Sequence, residues 1–283
     1  MSGSRQMVDD LDLPWRDNLP NKVLYRMATN EINAVRRLTS ASMAIGGNAL
    51  VGLMTETDRE LIARTATRET LPRGAILTEA DKVADAIYFI EHGVASVITP
   101  HPETEKTEIA LIGPETFIGA PVVLGDGRWP YRTFVQVDQL AMLRWPIDEA
   151  RFALRNSRSL ERLLIHAAFT QMVQVAEGLI SGAWQRLDAR LARWLLMYRD
   201  RLRSDRIEVT HEFMAMMVGV QRTGVTEALH ELEGKGLISA MRGLVIIRDA
   251  DRLRQMAGRG YGVSEQEYCR LFPNDPVQST TNE

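Results

Sequence analysis

The residues best suited to chemistry lie in one run, Thr210 to Ile247, THEFMAMMVGVQRTGVTEALHELEGKGLISAMRGLVII. Arg222 can donate two parallel hydrogen bonds to the N7 and O6 edge of guanine, with Gln221 before it and Thr223, Thr226 and Glu227 after it at spacings that share one helical face. The flanking residues say how these side chains are held. Thr210 can cap a helix whose first turn carries Glu212, with Phe213, Met217 and Val218 at the spacing of a buried stripe. Gly219 then marks a turn. The second helix, about Gln221 to Glu233, turns Val225, Leu229 and Leu232 inward and Arg222, Thr223, Thr226, Glu227 and His230 outward. Gly234 and Gly236 end it. Ile238 to Ile247, bent at Arg242 and Gly243, supplies a hairpin. The pattern predicts a winged helix-turn-helix, its second helix entering the DNA major groove end-on, with Arg242 in the wing touching phosphate.

Charge is distributed to match. The 283 residues sum to a net charge of -3, yet Trp184 to Met256 carries 13 Arg and Lys against 10 Asp and Glu, leaving the acidic excess to the rest of the chain. A weakly basic last third on an acidic body suits docking on phosphates. The single cysteine, Cys269, excludes an intrachain disulfide framework and a four-cysteine iron–sulfur centre. Histidines 92, 101, 166, 211 and 230 lack metal-ligand spacing, so no metal and no cofactor is expected. No nucleophile–base pair, Walker loop or paired-carboxylate motif is present, which points away from an enzyme. The apolar run Ala41 to Met54 is broken by Gly46, Gly47 and Asn48 and is too short to span a membrane; with no secretion signal at the start, a cytoplasmic protein is expected.

Upstream, 1–45 reads as an N-terminal extension with one helix, Lys22 to Leu38. A short helix follows around Thr57 to Thr67. From Glu69 the chain alternates apolar and polar residues in short segments between glycine turns, and further strands are expected at Glu108 to Ile112, Arg132 to Val137 and Leu140 to Trp145. That is the signature of a small antiparallel roll, placed at 46–147. Helical periodicity takes over at 148–183, where Leu160, Leu164, Ala168, Met172, Val175, Leu179 and Gly182 form a seam that would pair with a second copy. The DNA-binding domain is assigned to 184–260 and a C-terminal tail to 261–283. The fold class is therefore α+β: roll, long dimerisation helix, winged helix-turn-helix.

In that order these parts resemble the Crp/Fnr family of bacterial transcription regulators over about residues 50 to 260. EHGVASV at 91–97 is similar to the family's strand-glycine-strand turn, FIGAPVVLGDGRWPYRTF at 117–134 to its phosphate-binding cassette, and DARLARWLL at 188–196 to the helix that opens its DNA domain. The resemblance implies an effector pocket with Gly119, Arg132 and Thr133 at the positions that hold a cyclic phosphate. It also shows departures. Ala120 stands where a glutamate would take the ribose hydroxyl, Pro121 removes an amide donor, and Trp129, Pro130 and Tyr131 lengthen the loop. The polar pair that would meet the base aligns with Val175 and Ala176. In the recognition helix Thr223 replaces a common glutamate and Glu227 lies near a usual arginine, so the family's operator sequence does not transfer.

The expected function is that of a homodimeric, sequence-specific DNA-binding regulator whose effector is not cyclic AMP. Its expected partners are an inverted-repeat duplex, a second copy, RNA polymerase and a small-molecule effector. The competing reading is a cyclic-nucleotide-binding signalling module whose C-terminal domain contacts protein.

Overall fold

The computed structural model describes residues 47–100 and 107–273. The helix expected over 22–38 lies outside the described residues. Two short helices come first, α1 (Ala49–Leu53) and α2 (Glu56–Thr65). Asn48 caps α1 by accepting from the backbone amides of Leu50 and Val51, and Thr55 caps α2 by accepting from that of Asp58.

The roll consists of β1 (Thr67–Pro72), β2 (Ile76–Thr78), β3 (Ala86–His92), β4 (Ala95–Ile98), β5 (Glu108–Ile112), a helical turn α3 (Ala120–Leu124), β6 (Arg132–Val135) and β7 (Gln139–Pro146). Its strands pair antiparallel in two sheets, β1-β7-β3 and β2-β6-β4-β5. Tyr88 and Ile90 of β3 pack between the sheets, with Leu77, Val97, Ile112 and Met142. Ile87 and Phe89 of the same strand face the helices, with Phe117 and Trp145. Both faces of β3 are thus covered, which is why its sequence is apolar with little alternation. Gly93 makes the turn into β4 at φ +102°, where a Cβ would fall 2.7 Å from the Val137 side chain.

After β7 come α4 (Ile147–Asn156) and the long helix α5 (Arg158–Trp184), capped by Ser157. Here the structure corrects one expectation. Leu160, Leu164 and Ala168, assigned to a dimer seam, are buried with Ala167 against the chain's own roll. The later members of that seam, Met172, Val175, Leu179 and Gly182, are exposed, and with Ile165, Phe169, Ala176, Ile180 and Trp184 they form the stripe left uncovered. The periodicity of a helix packed on its roll and of one packed on a partner is nearly the same, so spacing alone did not say which face goes where.

A break at Gln185 and Arg186 leads to α6 (Leu187–Leu202), β8 (Arg206–Glu208), α7 (His211–Val218), α8 (Arg222–Gly234), β9 (Ile238–Met241), β10 (Leu244–Ile247), α9 (Ala250–Ala257) and α10 (Val263–Leu271). The wing is a three-stranded sheet, β8-β10-β9, rather than the hairpin alone. Residues 263–271, within the stretch read as a tail, are helical, and Tyr268 and Phe272 return to the roll–helix core beside His166. The roll and the last third also share a core: Val94, Ile98 and Leu111 pack in one cluster with Leu191, Trp194 and Met217.

Asn48 ties the start of the described chain to this frame. It is fully buried, and besides capping α1 its amide donates to the backbone oxygens of Ile90 (2.9 Å) and Thr116 (2.8 Å). Asn48→Ala leaves two donors and two acceptors short of partners, and a loss of about 2 to 4 kcal/mol is expected in denaturant unfolding.

Candidate DNA interface and effector cassette

The helix-turn-helix is built by local rules. Thr210 Oγ1 accepts from the amide of Phe213 at 3.1 Å, and Gly219 ends α7 in the left-handed region at φ +68°. Val225, Ala228, Leu229 and Leu232 of α8 are buried, while Gln221, Arg222, Thr223, Glu227 and His230 are exposed along its outer face. Arg222 makes no ion pair among the described residues, so its guanidinium is unengaged. Thr226 is placed differently. Its hydroxyl donates to the backbone oxygen of Arg222 and lies 3.1 Å from His211 Nδ1, so it joins the two helices and is only half exposed. Arg242 is exposed at the wing tip beside Gly243 at φ +75°. Two contacts escaped sequence reasoning: a Cβ on Gly224 would lie 3.0 Å from Leu187, so α8 sits close on α6 there, and Lys235 pairs with Asp188 and Glu231.

Gly119 and Thr133 line one small cavity of the roll, whereas Arg132, the neighbouring residue on β6, is not part of its lining, and the polar groups of Arg132 and Thr133 are already engaged. Arg132 donates to Glu79 Oε2 through Nε at 3.1 Å and Nη2 at 2.9 Å. The buried Thr133 hydroxyl accepts from Thr78 at 2.7 Å. Gly119, at φ +119°, opens α3 beneath Ile87. Trp129, stacked edge-on with Tyr131, closes the space further, leaving a cavity of about 30 Å³. Val175 and Ala176 are exposed on α5 and do not reach it; the long-helix residue that does is Gln171, one turn earlier. Placement by position along the chain fails here because the rotation of α5 on the roll is set by packing.

Roll and DNA-binding part meet at a buried polar cluster. Glu108 of β5 accepts from the Trp194 indole N–H at 2.7 Å and from the Ser96 hydroxyl at 2.5 Å, with the Gln136 amide at 3.1 Å. Burial pushes its carboxyl up to about 7, opposed by those hydrogen bonds and by the charges of Arg201 and Arg193. Phe134 and Phe213 meet edge-on across the same junction at 6.3 Å.

Known proteins bear the same parts. The sequence pattern of the Cyclic nucleotide-binding domain matches residues 68–156, and that of the Crp-like helix-turn-helix domain matches 189–256. The chain is 26% identical over 212 residues to the HTH-type transcriptional regulator Cmr of Mycobacterium tuberculosis, covering 71% of this chain and 80% of that protein. It is 21% identical over 196 residues to the global nitrogen regulator of Synechocystis sp., covering 66% and 87%. Among solved structures, a CRP-family transcriptional regulator from Thermus thermophilus superposes with a TM-score of 0.58 at 20% identity, over 69% of this chain and 99% of that one. A crp/fnr-family regulator from Eubacterium rectale gives 0.59 at 16%, over 72% and 95%. A cyclic-nucleotide-binding-type roll joined by a long helix to a winged helix-turn-helix defines the class of one-chain, DNA-binding transcription regulators. The chain belongs to the Crp/Fnr family of that class.

The Glu108 cluster makes a pH prediction. A carboxyl whose folded pKa lies above its unfolded value binds a proton on folding, so its contribution is present below the unfolded pKa and is lost as pH rises through the folded one. Thermal stability should therefore fall between about pH 5 and pH 8. Glu108→Gln, which removes the titrating group and gives up one accepted hydrogen bond because its amide nitrogen cannot accept, should lower stability at all pH values and flatten that segment of the curve; an unchanged slope would exclude Glu108 as its source.

Proposed function

We propose that the chain acts as a homodimer on an inverted-repeat operator in the cytoplasm, with Gln221, Arg222, Thr223 and Glu227 reading base edges and Arg242 holding phosphate. The observation that carries this is the outer face of α8, where a run of hydrogen-bonding side chains stands exposed at the N-terminal end of a helix backed by a full core. Arg222 fits guanine and Glu227 can accept from a cytosine amino group. Thr226, being tied to His211, supports the helix pair more than it reads bases.

The dimer rests on the α5 stripe. Phe169, Met172, Leu179, Ile180 and Trp184 are exposed on one side of a helix about 40 Å long, the kind of apolar stripe that marks an interaction surface. By length and composition α5 could also cross a bilayer. That would strip Leu160, Leu164 and Ala167 from the roll and carry the buried Gln174 and Ser181 into lipid, whereas a second copy covers the stripe and leaves those contacts intact. Two-fold pairing along α5 sets the recognition helices for half-sites about 10 to 10.5 base pairs apart.

Cyclic AMP is not proposed as the effector. Arg132 is neutralised by Glu79, Ala120 supplies no carboxylate to a ribose, and the remaining space is far below the several hundred Å³ of ordinary ligand pockets. Nor is a catalytic role proposed.

Selection of bound duplexes followed by footprinting should return a dyad-symmetric site. Arg222→Ala should lose about 1 to 3 kcal/mol on it and flatten preference at one position per half-site. Arg242→Ala should weaken all sequences alike and reduce the salt slope. Met172→Glu should shift sedimentation toward monomer and lower operator affinity together. Uniform losses from both arginine variants would remove Arg222 from base readout, and an unshifted dimer would remove α5 from the interface. Separately, saturating cyclic AMP should leave the melting temperature unchanged, where a micromolar ligand at about a hundred times its Kd would add about 2.7 kcal/mol. A rise abolished by Arg132→Ala would show the cassette to be functional.

A further inference from the structure

A larger cavity lies away from the cassette, where β5, the last turns of α5, α6 and α7 converge. Its volume is about 450 Å³, within the range of small-molecule sites and about fifteen times the space left in the cassette at about 30 Å³. Gly178 and Gly182 form part of its wall, and a Cβ built on either meets nothing within 4 Å. These glycines therefore do not serve a close helix–helix approach within the chain. Space is open beside both, in a helix that alanine at either position would stabilise. Leu179, Trp194, Met197 and Met217 supply apolar walls.

Two guanidinium groups edge this space. Arg190 and Arg193, three residues apart on α6, share a helix face. Arg190 donates to the Val218 oxygen, and Arg193 to the oxygens of Gly260 (2.6 Å) and Gln174 (3.3 Å). Neither has a carboxylate at ion-pair distance among the described residues, although most of the chain's other partly buried arginines do. Burial lowers the pKa of both, as expected of cations removed from water without a counter-charge, although Glu265, Glu108 and Glu177 act on Arg193 from further off. The Glu108 carboxyl, also on the wall, is occupied by Trp194, Ser96 and Gln136.

We propose that this cavity binds an amphipathic organic anion, its apolar body against Gly178, Trp194 and Met197 and its carboxylate or phosphate between Arg190 and Arg193, and that it is the chain's effector site. The binding stands on the cavity alone, while the effector role rests on the DNA-binding reading above. A ligand there would touch the roll, the long helix and both α6 and α7, the elements whose relative placement carries the recognition helix.

Calorimetry and thermal melting on the full chain without DNA, using decanoate and decyl phosphate as probes and decyltrimethylammonium as the cationic control, test the site. At least one anion should bind and raise the melting temperature, the cation should not, and the tighter of the two anions identifies the headgroup. Arg190→Gln should weaken binding roughly tenfold or more. Gly178→Leu should abolish it with helix content and sedimentation unchanged, which keeps the test sound where an Arg193 variant fails to fold. No binding by either anion at about 1 mM, equal binding of the cation, binding that survives Gly178→Leu, or a Gly178→Leu variant whose main change is in dimer dissociation would each overturn the site. Operator affinity is then measured with and without the bound anion. A change supports the effector role, binding without any change refutes that role alone, and absence of operator binding in unliganded and liganded protein alike is the failure of the DNA-binding reading instead.

Discussion

The structure depends on one helix having to bury three faces at once. The side of α5 that carries Leu160, Leu164 and Ala167 closes the roll core. A second side meets the edge of β5, where Gln174 imitates a neighbouring strand: its Oε1 accepts from the Leu111 amide at 2.8 Å and its Nε2 donates to the Leu111 oxygen at 3.1 Å. An open strand edge is thereby satisfied by a side chain, with no further strand needed. What remains is the exposed apolar stripe from Ile165 to Trp184. Because α5 is rigid, whatever fixes its rotation on the roll also fixes where that stripe points, and with it the orientation of everything that follows Trp184.

The DNA-binding part is held to this helix at several points. Gln185, at the break after α5, donates to the oxygen of Ala257, and a Cβ on Gly260 would collide with the Gln185 side chain at 2.7 Å. Tyr261 donates to the half-buried Asp200, and α10 returns Tyr268 and Phe272 to the roll. On the opposite side Glu108, Trp194 and the Phe134–Phe213 pair join β5 and β6 to α6 and α7. The junction is thus held on both flanks of the break at Gln185 and Arg186 by packed interfaces, which shift between discrete arrangements rather than deforming continuously.

That arrangement bears on sensing. In the cassette the arginine that would meet a phosphate meets Glu79 instead, and an enlarged loop puts Trp129 into the space. The roll keeps the shape of a binding module while its own side chains satisfy the groups a nucleotide would use. The larger cavity, with Arg190 and Arg193 in its lining, lies instead at the junction of roll, long helix and α6.

How much of this was readable without coordinates follows from the range of the interactions concerned. The helix-turn-helix, its Thr210 cap, the Gly219 turn and the outward residues from Gln221 to Glu227 are specified by neighbours within a few residues, so spacing and residue type sufficed, as they did for the antiparallel strands around Gly93. The departures in the cassette, Ala120 and the Trp129 insertion, were equally visible, being substitutions in a local motif. Tertiary structure alone decided which face of α5 is buried, because the periodicities for packing on a roll and on a partner nearly coincide. It alone showed that Glu79, 53 residues from Arg132, takes that guanidinium, that α10 folds back on the roll, and that Gly178 and Gly182 line a cavity. Each of these is a contact between segments far apart in sequence, and a pattern of residue types records that a face is apolar or a charge is present without recording what will be brought against it.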